Sequence, residues 1–103
     1  MEVYEFENTS NAFNYAFEKN LAAGEEVIVR MPRVSANKRG VNDIGWLSDG
    51  DVKLYGTLAQ NPKAENALWQ EIGINDDINK VTSAIKIENK GIACRIEMRV
   101  ILN

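Results

Sequence analysis

Apolar and polar residues alternate from Val3 to Glu7, with Tyr4 and Phe6 on one side, which predicts a first strand. The period then changes. Phe13, Ala16, Phe17 and Leu21 recur at helical spacing behind Asn8, Thr9 and Ser10, whose side-chain oxygens suit an N-cap. Gly24 offers a left-handed stop, so a helix is predicted over about residues 10–23. Val27, Val29 and Met31 share a face in a strand from Glu26 to Met31, ended by Pro32. The pattern lapses from Arg33 to Asn42, which reads as a loop. Ile44 to Leu47 and Val52 to Leu58 then flank Ser48-Asp49-Gly50-Asp51, and the Asp-Gly pair predicts a hairpin turn. Asn61-Pro62 opens a second helix with Ala64, Leu68 and Ile72 as its buried stripe, stopped by Gly73 and held by a contact from Ile74. The alternation of Val81, Ser83, Ile85 and Ile87, then Ile92, Cys94, Ile96, Met98 and Val100, predicts a long C-terminal hairpin turned at Asn89-Lys90-Gly91.

The predicted order is β-α-β-β-β-α-β-β, two β-α-β-β halves whose few matched residues fall short of a repeat. The fold class expected is α+β. One domain spanning 1–103 would hold an antiparallel or mixed sheet of about six strands, with two helices packed on one face. Its other face, or a dimer mate, would account for the surplus of apolar surface.

Composition narrows the chemistry. Of 103 residues 45% are hydrophobic, enough for a core without staples. The lone cysteine, Cys94, excludes a disulfide within the chain. The N-terminus lacks the basic and apolar regions of a signal peptide, and no apolar run reaches the ~20 residues of a membrane span. A cytoplasmic protein is therefore expected. The absence of histidine removes Ser-His-Asp and Cys-His catalysis, and with one cysteine removes the usual zinc sites. Neither common glycine-rich nucleotide cradle occurs, and Asp49-Gly50-Asp51 reads as a turn because Lys53 stands where a calcium loop needs a ligand. Cys94 falls on the apolar face of its strand and reads as a small core hydrophobe. The carboxylates Asp43, Asp49 and Asp51, and Asp76 with Asp77, read as solvated. No cofactor and no metal is expected, and the chain leans away from enzymes.

Three features could carry binding. The first is the segment Arg30 to Gly40. Arg30, Arg33, Lys38 and Arg39 fall between Val27 and Asn42 with no acid among them, in a chain of net charge −3. Such a cluster can grip phosphate or a carboxylate surface, and it can equally be a solvated loop. The second is aromatic. Trp69 sits beside Leu68 at the rim of the second helix's stripe, suited to core or interface; Trp46 faces the core with Ile44; Tyr15 lies off the first helix's stripe. The third is the charged side of the C-terminal hairpin, Lys86, Glu88, Arg95, Glu97 and Arg99, which suits cross-strand pairs or, at a sheet edge, a second strand.

The leading expectation is a small non-enzymatic interaction protein, accessory or inhibitory like those of mobile elements, which binds a protein partner or a second copy of itself as a homodimer. A small-molecule reading follows from Trp46, Tyr55 and Asp43, which together would suit an organic cation. Nucleic-acid or phosphate binding through Arg30, Arg33, Lys38 and Arg39 is the third, and the acidic remainder of the chain opposes it.

Overall fold

The computed structural model describes residues 2–6, 14–32, 41–63, 65–73, 76, 78 and 82–102. It is all-β: eight strands in two sheets, with no helix among the described residues. The strands are β1 (Glu2–Glu5), β2 (Asn14–Leu21), β3 (Glu26–Arg30), β4 (Val41–Ser48), β5 (Val52–Thr57), β6 (Gln70–Ile72), β7 (Ala84–Asn89) and β8 (Cys94–Leu102). One sheet runs β1-β3-β7-β5-β6 and the other β2-β8-β4. All pairs are antiparallel except β1 with β3. The chain changes sheet after β1, β2, β3, β4 and β7, and the crossings after β2, β4 and β7 are short described turns. The strands joined there, β2 with β3, β8 with β7 and β4 with β5, stand in the same order in both sheets, so the inner faces meet as two layers. Val27, Val29, Leu54, Ile85 and Ile87 from the five-stranded sheet meet Phe17, Leu21, Ile96, Met98 and Val100 from the three-stranded one, all buried. Tyr4 and Phe6 close one side, edge to face with each other, with Tyr4 tilted against Phe17 and Phe6 edge-on to Tyr15.

The α+β expectation is thus overturned: a second sheet, not a pair of helices, covers the first. The predicted first helix is in its described part β2. Its stripe rested on Phe17 and Leu21, and a spacing of four keeps two residues on one face of a helix and of a strand alike. Tyr15 decides between them, because it lies off the helical stripe and is buried on the strand. Gly24 has the positive φ expected of it (74°), but in a turn closed by the Glu25 N–H on the Ala22 carbonyl (3.0 Å), not in a helix cap. Its proposed N-cap, Asn8 to Ser10, lies outside the described residues, as does Phe13. The second helix fails for the same reason: Leu68 and Ile72 are again four apart. Asn61 accepts the Lys63 N–H (3.1 Å) in a local turn, Leu68 is 86% exposed, and Ile72 belongs to β6. Ala64, Ile74 and Val81 lie outside the described residues.

Both expected hairpins are also corrected. The strands exist, but β4 and β5 pair in different sheets, and so do β7 and β8. What was read as two hairpin turns is two sheet-crossing corners. Gly50 is required there by close approach: the space its side chain would fill holds Cys94, with Sγ 2.7 Å from an added Cβ. The Asp49 carboxylate accepts the Arg95 N–H (2.9 Å), and Ser48 Oγ donates to the Arg95 carbonyl (2.8 Å), tying the corner to β8. Asn89 joins two of the short crossing turns, those after β2 and β7. Its side-chain amide, on a residue 2% exposed, donates to the carbonyls of Ala22 (2.9 Å) and Ile92 (2.8 Å) and accepts the Gly91 N–H (3.0 Å). Ile92, expected on the inner face of the last strand, is 83% exposed in this turn. The last strand itself is the centre of its sheet, so its backbone has no free edge to offer a second copy. No helix among the described residues is long and apolar enough to cross a membrane.

Candidate functional site

The five-stranded sheet has a dressed outer face. Beyond Thr57 the chain is pinned by Ser83, whose Oγ donates to the Thr57 (3.1 Å) and Ala59 carbonyls. It then reaches β3, where the Arg30 guanidinium donates to the Gln60 carbonyl (2.8 Å), and later β7, where Trp69 stacks on Lys86. These contacts place the segment over the outer side of the sheet, where Ile28 and Ala84 are buried although they point away from the core. Lys86 Nζ stands 4.8 Å from the Trp69 ring centre and 5.3 Å from that of Tyr55, held between two aromatic faces.

Where the segment returns as β6, it leaves a cleft of about 740 Å³ beside the sheet. Gly56, Thr57 and Thr82 form part of its wall, Ile72 and Ile78 give it apolar surface, and Trp69 gives it an aromatic side. Ile72 can lie there because Gly56, diagonally across on β5, has no side chain: an added Cβ would come within 2.9 Å of Ile72 Cδ1. The rim carries Leu58, 56% exposed, and Leu68, 86% exposed. The ionisable groups in the lining are both acids, Glu71 and Asp76. Asp76 also closes the turn after β6, accepting the Gly73 N–H at 2.6 Å, and Glu71 pairs with the exposed Lys53 at 3.4 Å. Apolar contact, one aromatic wall, side-chain amides from Asn66 and Gln70 and two carboxylates are equipment for recognition. No cluster of His, Cys, Asp or Glu that could hold a metal occurs among the described residues.

The sequence-predicted site residues fall apart. Arg30 is engaged at the end of β3, with Glu5 at 3.6 Å; Arg33, Lys38 and Arg39 lie outside the described residues. Trp46, Tyr55 and Asp43 do not share a cleft, because β4 and β5 belong to different sheets. Trp46 packs against the core from β4, and its buried Nε1 has no hydrogen-bond partner among the described residues. Asp43 is exposed on the outer side of the three-stranded sheet, and Tyr55 is on the outer side of the other. Tyr55 and Trp69 do come together, but the cation between them is the chain's own Lys86. Tyr15 is core. The single charged face expected for the C-terminal hairpin is split between opposite surfaces of the molecule. Arg95 pairs with Glu18 (2.8 Å) and Glu97 (3.6 Å) on one, while Lys86 and Glu88 pair (3.6 Å) on the other. Leu58, Leu68, Glu71 and Asp76 were not legible as site residues. The one local signal was Leu68-Trp69, two large apolar residues side by side, which a helical stripe cannot bury together.

Glu88 gives the outer face a pH dependence. Burial of its carboxylate raises its pKa, but the hydrogen bond from Lys90 (2.6 Å) and the charges of Lys90 and Lys86 outweigh this, and the pKa lies below the ordinary 4.5. A group held ionised in the fold stabilises it above the unfolded-state pKa, and that contribution disappears as pH falls through the lower folded value. Stability should therefore decline below about pH 4.5. Urea melts at stepped pH should show that Glu88→Gln is less stable at neutral pH and has a shallower acid limb; a limb of unchanged steepness would assign it to other carboxylates.

The chain has no significant match to a family model, a curated protein or a solved structure. The class of fold that its own geometry defines is a two-layer β-sandwich, with eight strands among the described residues.

Proposed function

We propose that this is a non-enzymatic interaction protein whose working surface is the cleft beside β6, occupied by part of a protein partner. The observation that carries this is exposed apolar surface at a concave site: Leu58 and Leu68, both exposed, line it together with Trp69. Contiguous exposed apolar surface bordered by polar groups is what protein interfaces use. A tryptophan set in a pocket among smaller contacts is the usual energetic anchor of one. The carboxylates and amides around it supply the polar border.

Leu68→Glu tests this directly. Because Leu68 is so exposed, its replacement should move stability by no more than about 0.5 kcal/mol. Tagged wild-type chain and the variant are used side by side to capture proteins from the host's lysate, and each captured protein is then purified and titrated calorimetrically. A partner that binds the wild type saturably and the variant at least about thirtyfold more weakly, roughly 2 kcal/mol, is the expected result. Equal binding by the two chains, or no saturable partner for the folded protein, overturns the proposal.

A further inference from the structure

We infer that the partner enters as an extended strand added to the free edge of β6, with a lysine or arginine between two apolar residues. This rests on the reading of the cleft as the partner-binding surface.

The sheets end in four strands, and three are defended or occupied. β2 turns Lys19 toward the inner face at its edge, where it is paired with Glu2 (3.4 Å) and Glu25 (3.5 Å); an inward charge is a common obstacle to strand addition. β1 has its acids Glu2 and Glu5 bound to Lys19 and Arg30. β4 carries a register shift between Val41 and Asp43, which distorts the edge a new strand would follow. β6, three residues long, has neither an inward charge nor a register shift; its one charge, Glu71, points outward and is paired with the exposed Lys53 (3.4 Å). Among the described residues it is hydrogen-bonded on one side only, by β5, and all three of its residues line the cleft. Strand addition at such an edge draws affinity from the backbone and specificity from alternate side chains.

The register of β6 fixes what those side chains must be. Glu71 lies opposite Tyr55 and so on the outer face, while Gln70 and Ile72 lie opposite Gly56 and Leu54 and face inward. A strand beside β6 continues this alternation. Its residue next to Glu71 points outward, and its neighbours on either side point inward toward Ile72 and Ile78. Glu71 and Asp76 are the charges of the cleft, and both are negative, which selects a cation at the outward position. Lys53, exposed and 3.4 Å from Glu71, already shows the pairing that an incoming cation would share or replace.

The probe is a capped heptapeptide with a Val-Lys-Val centre and threonine flanks, added to uniformly ¹⁵N-labelled full chain. Three controls accompany it: a Val-Glu-Val peptide, the Val-Lys-Val peptide N-methylated at its valines, and tetramethylammonium. Amide shifts and hydrogen exchange are followed at Gln70, Glu71 and Ile72. The expected result is slowed exchange at β6 with the lysine peptide, at least tenfold weaker binding of the glutamate peptide, and loss of binding on N-methylation. Glu71→Gln should narrow the lysine-to-glutamate preference. Equal binding of the N-methylated peptide, or no peptide binding in a chain whose captured partner still requires Leu68, overturns strand addition and leaves the partner-binding reading intact. Tetramethylammonium that shifts the Trp69 indole, with no peptide bound and no Leu68-dependent partner, makes the cleft a small-cation site and overturns both.

Discussion

Asn89→Asp should destabilise the protein more than any other single-atom exchange at its surface or core, and more at pH 7 than at pH 3. The native amide donates to the carbonyls of Ala22 and Ile92 from a position 2% exposed. A carboxylate there has no proton to give, so two carbonyl oxygens face a buried negative charge. Leaving a buried polar group unsatisfied costs about 1–3 kcal/mol, and more when the group is charged. A loss of about 4 kcal/mol is expected at neutral pH, against a total of roughly 5–15 kcal/mol for a domain of this size. Asn89→Ala, which removes the bonds without adding a charge, should cost about 2–3 kcal/mol. Denaturant melts of the three proteins at both pH values measure this. If Asp and Ala were equally damaging at pH 7, the amide would be acting as a space-filler and not as the donor that joins the sheet crossings.

The same residue shows what a sequence does and does not disclose. Asn89 was legible as part of a turn, and its Oδ1 does accept the Gly91 N–H as such residues do. That its amide reaches Ala22, sixty-seven positions away, has no local signature. Strand positions with strict alternation were legible for a local reason: Val27 and Val29, or Ile96, Met98 and Val100, have one face to bury whatever lies opposite. The two helices were misread because pairs four residues apart satisfy both periods, and Lys19 interrupts the alternation that would have exposed β2 as a strand. Pairing was misread because a short turn between two strands is compatible with a hairpin and with a crossing between sheets. Gly50 records the difference, through the space that Cys94 occupies, but only once the two are brought together. The candidate cleft was least legible of all. It is built from Gly56, Trp69, Ile72 and Thr82, whose proximity depends on that pairing.

Trp69→Ala should then cost about 2 kcal/mol of stability, less than the 3–5 kcal/mol typical of a fully buried aromatic, because the ring is only half-buried. The informative measurement is its coupling to Lys86. The ammonium lies 4.8 Å from the Trp69 ring centre and 5.3 Å from that of Tyr55, on a lysine whose side chain is 19% exposed. A partly desolvated cation–aromatic contact is worth about 1 kcal/mol. Lys86→Met keeps the apolar stem and removes the charge, and Glu88 retains Lys90 as a partner. The double-mutant cycle of Trp69→Ala with Lys86→Met should therefore show a coupling near 1 kcal/mol by urea denaturation. Lys86 is not part of the cleft, yet it holds the wall that is. On the proposed function, Lys86→Met should also weaken a cleft-bound partner several-fold while Trp69→Phe, which keeps a ring on the lysine, does so less. No coupling in the cycle together with unchanged binding would mean that Trp69 is held by its neighbours in the chain alone, and the cation would then serve Glu88 and not the cleft.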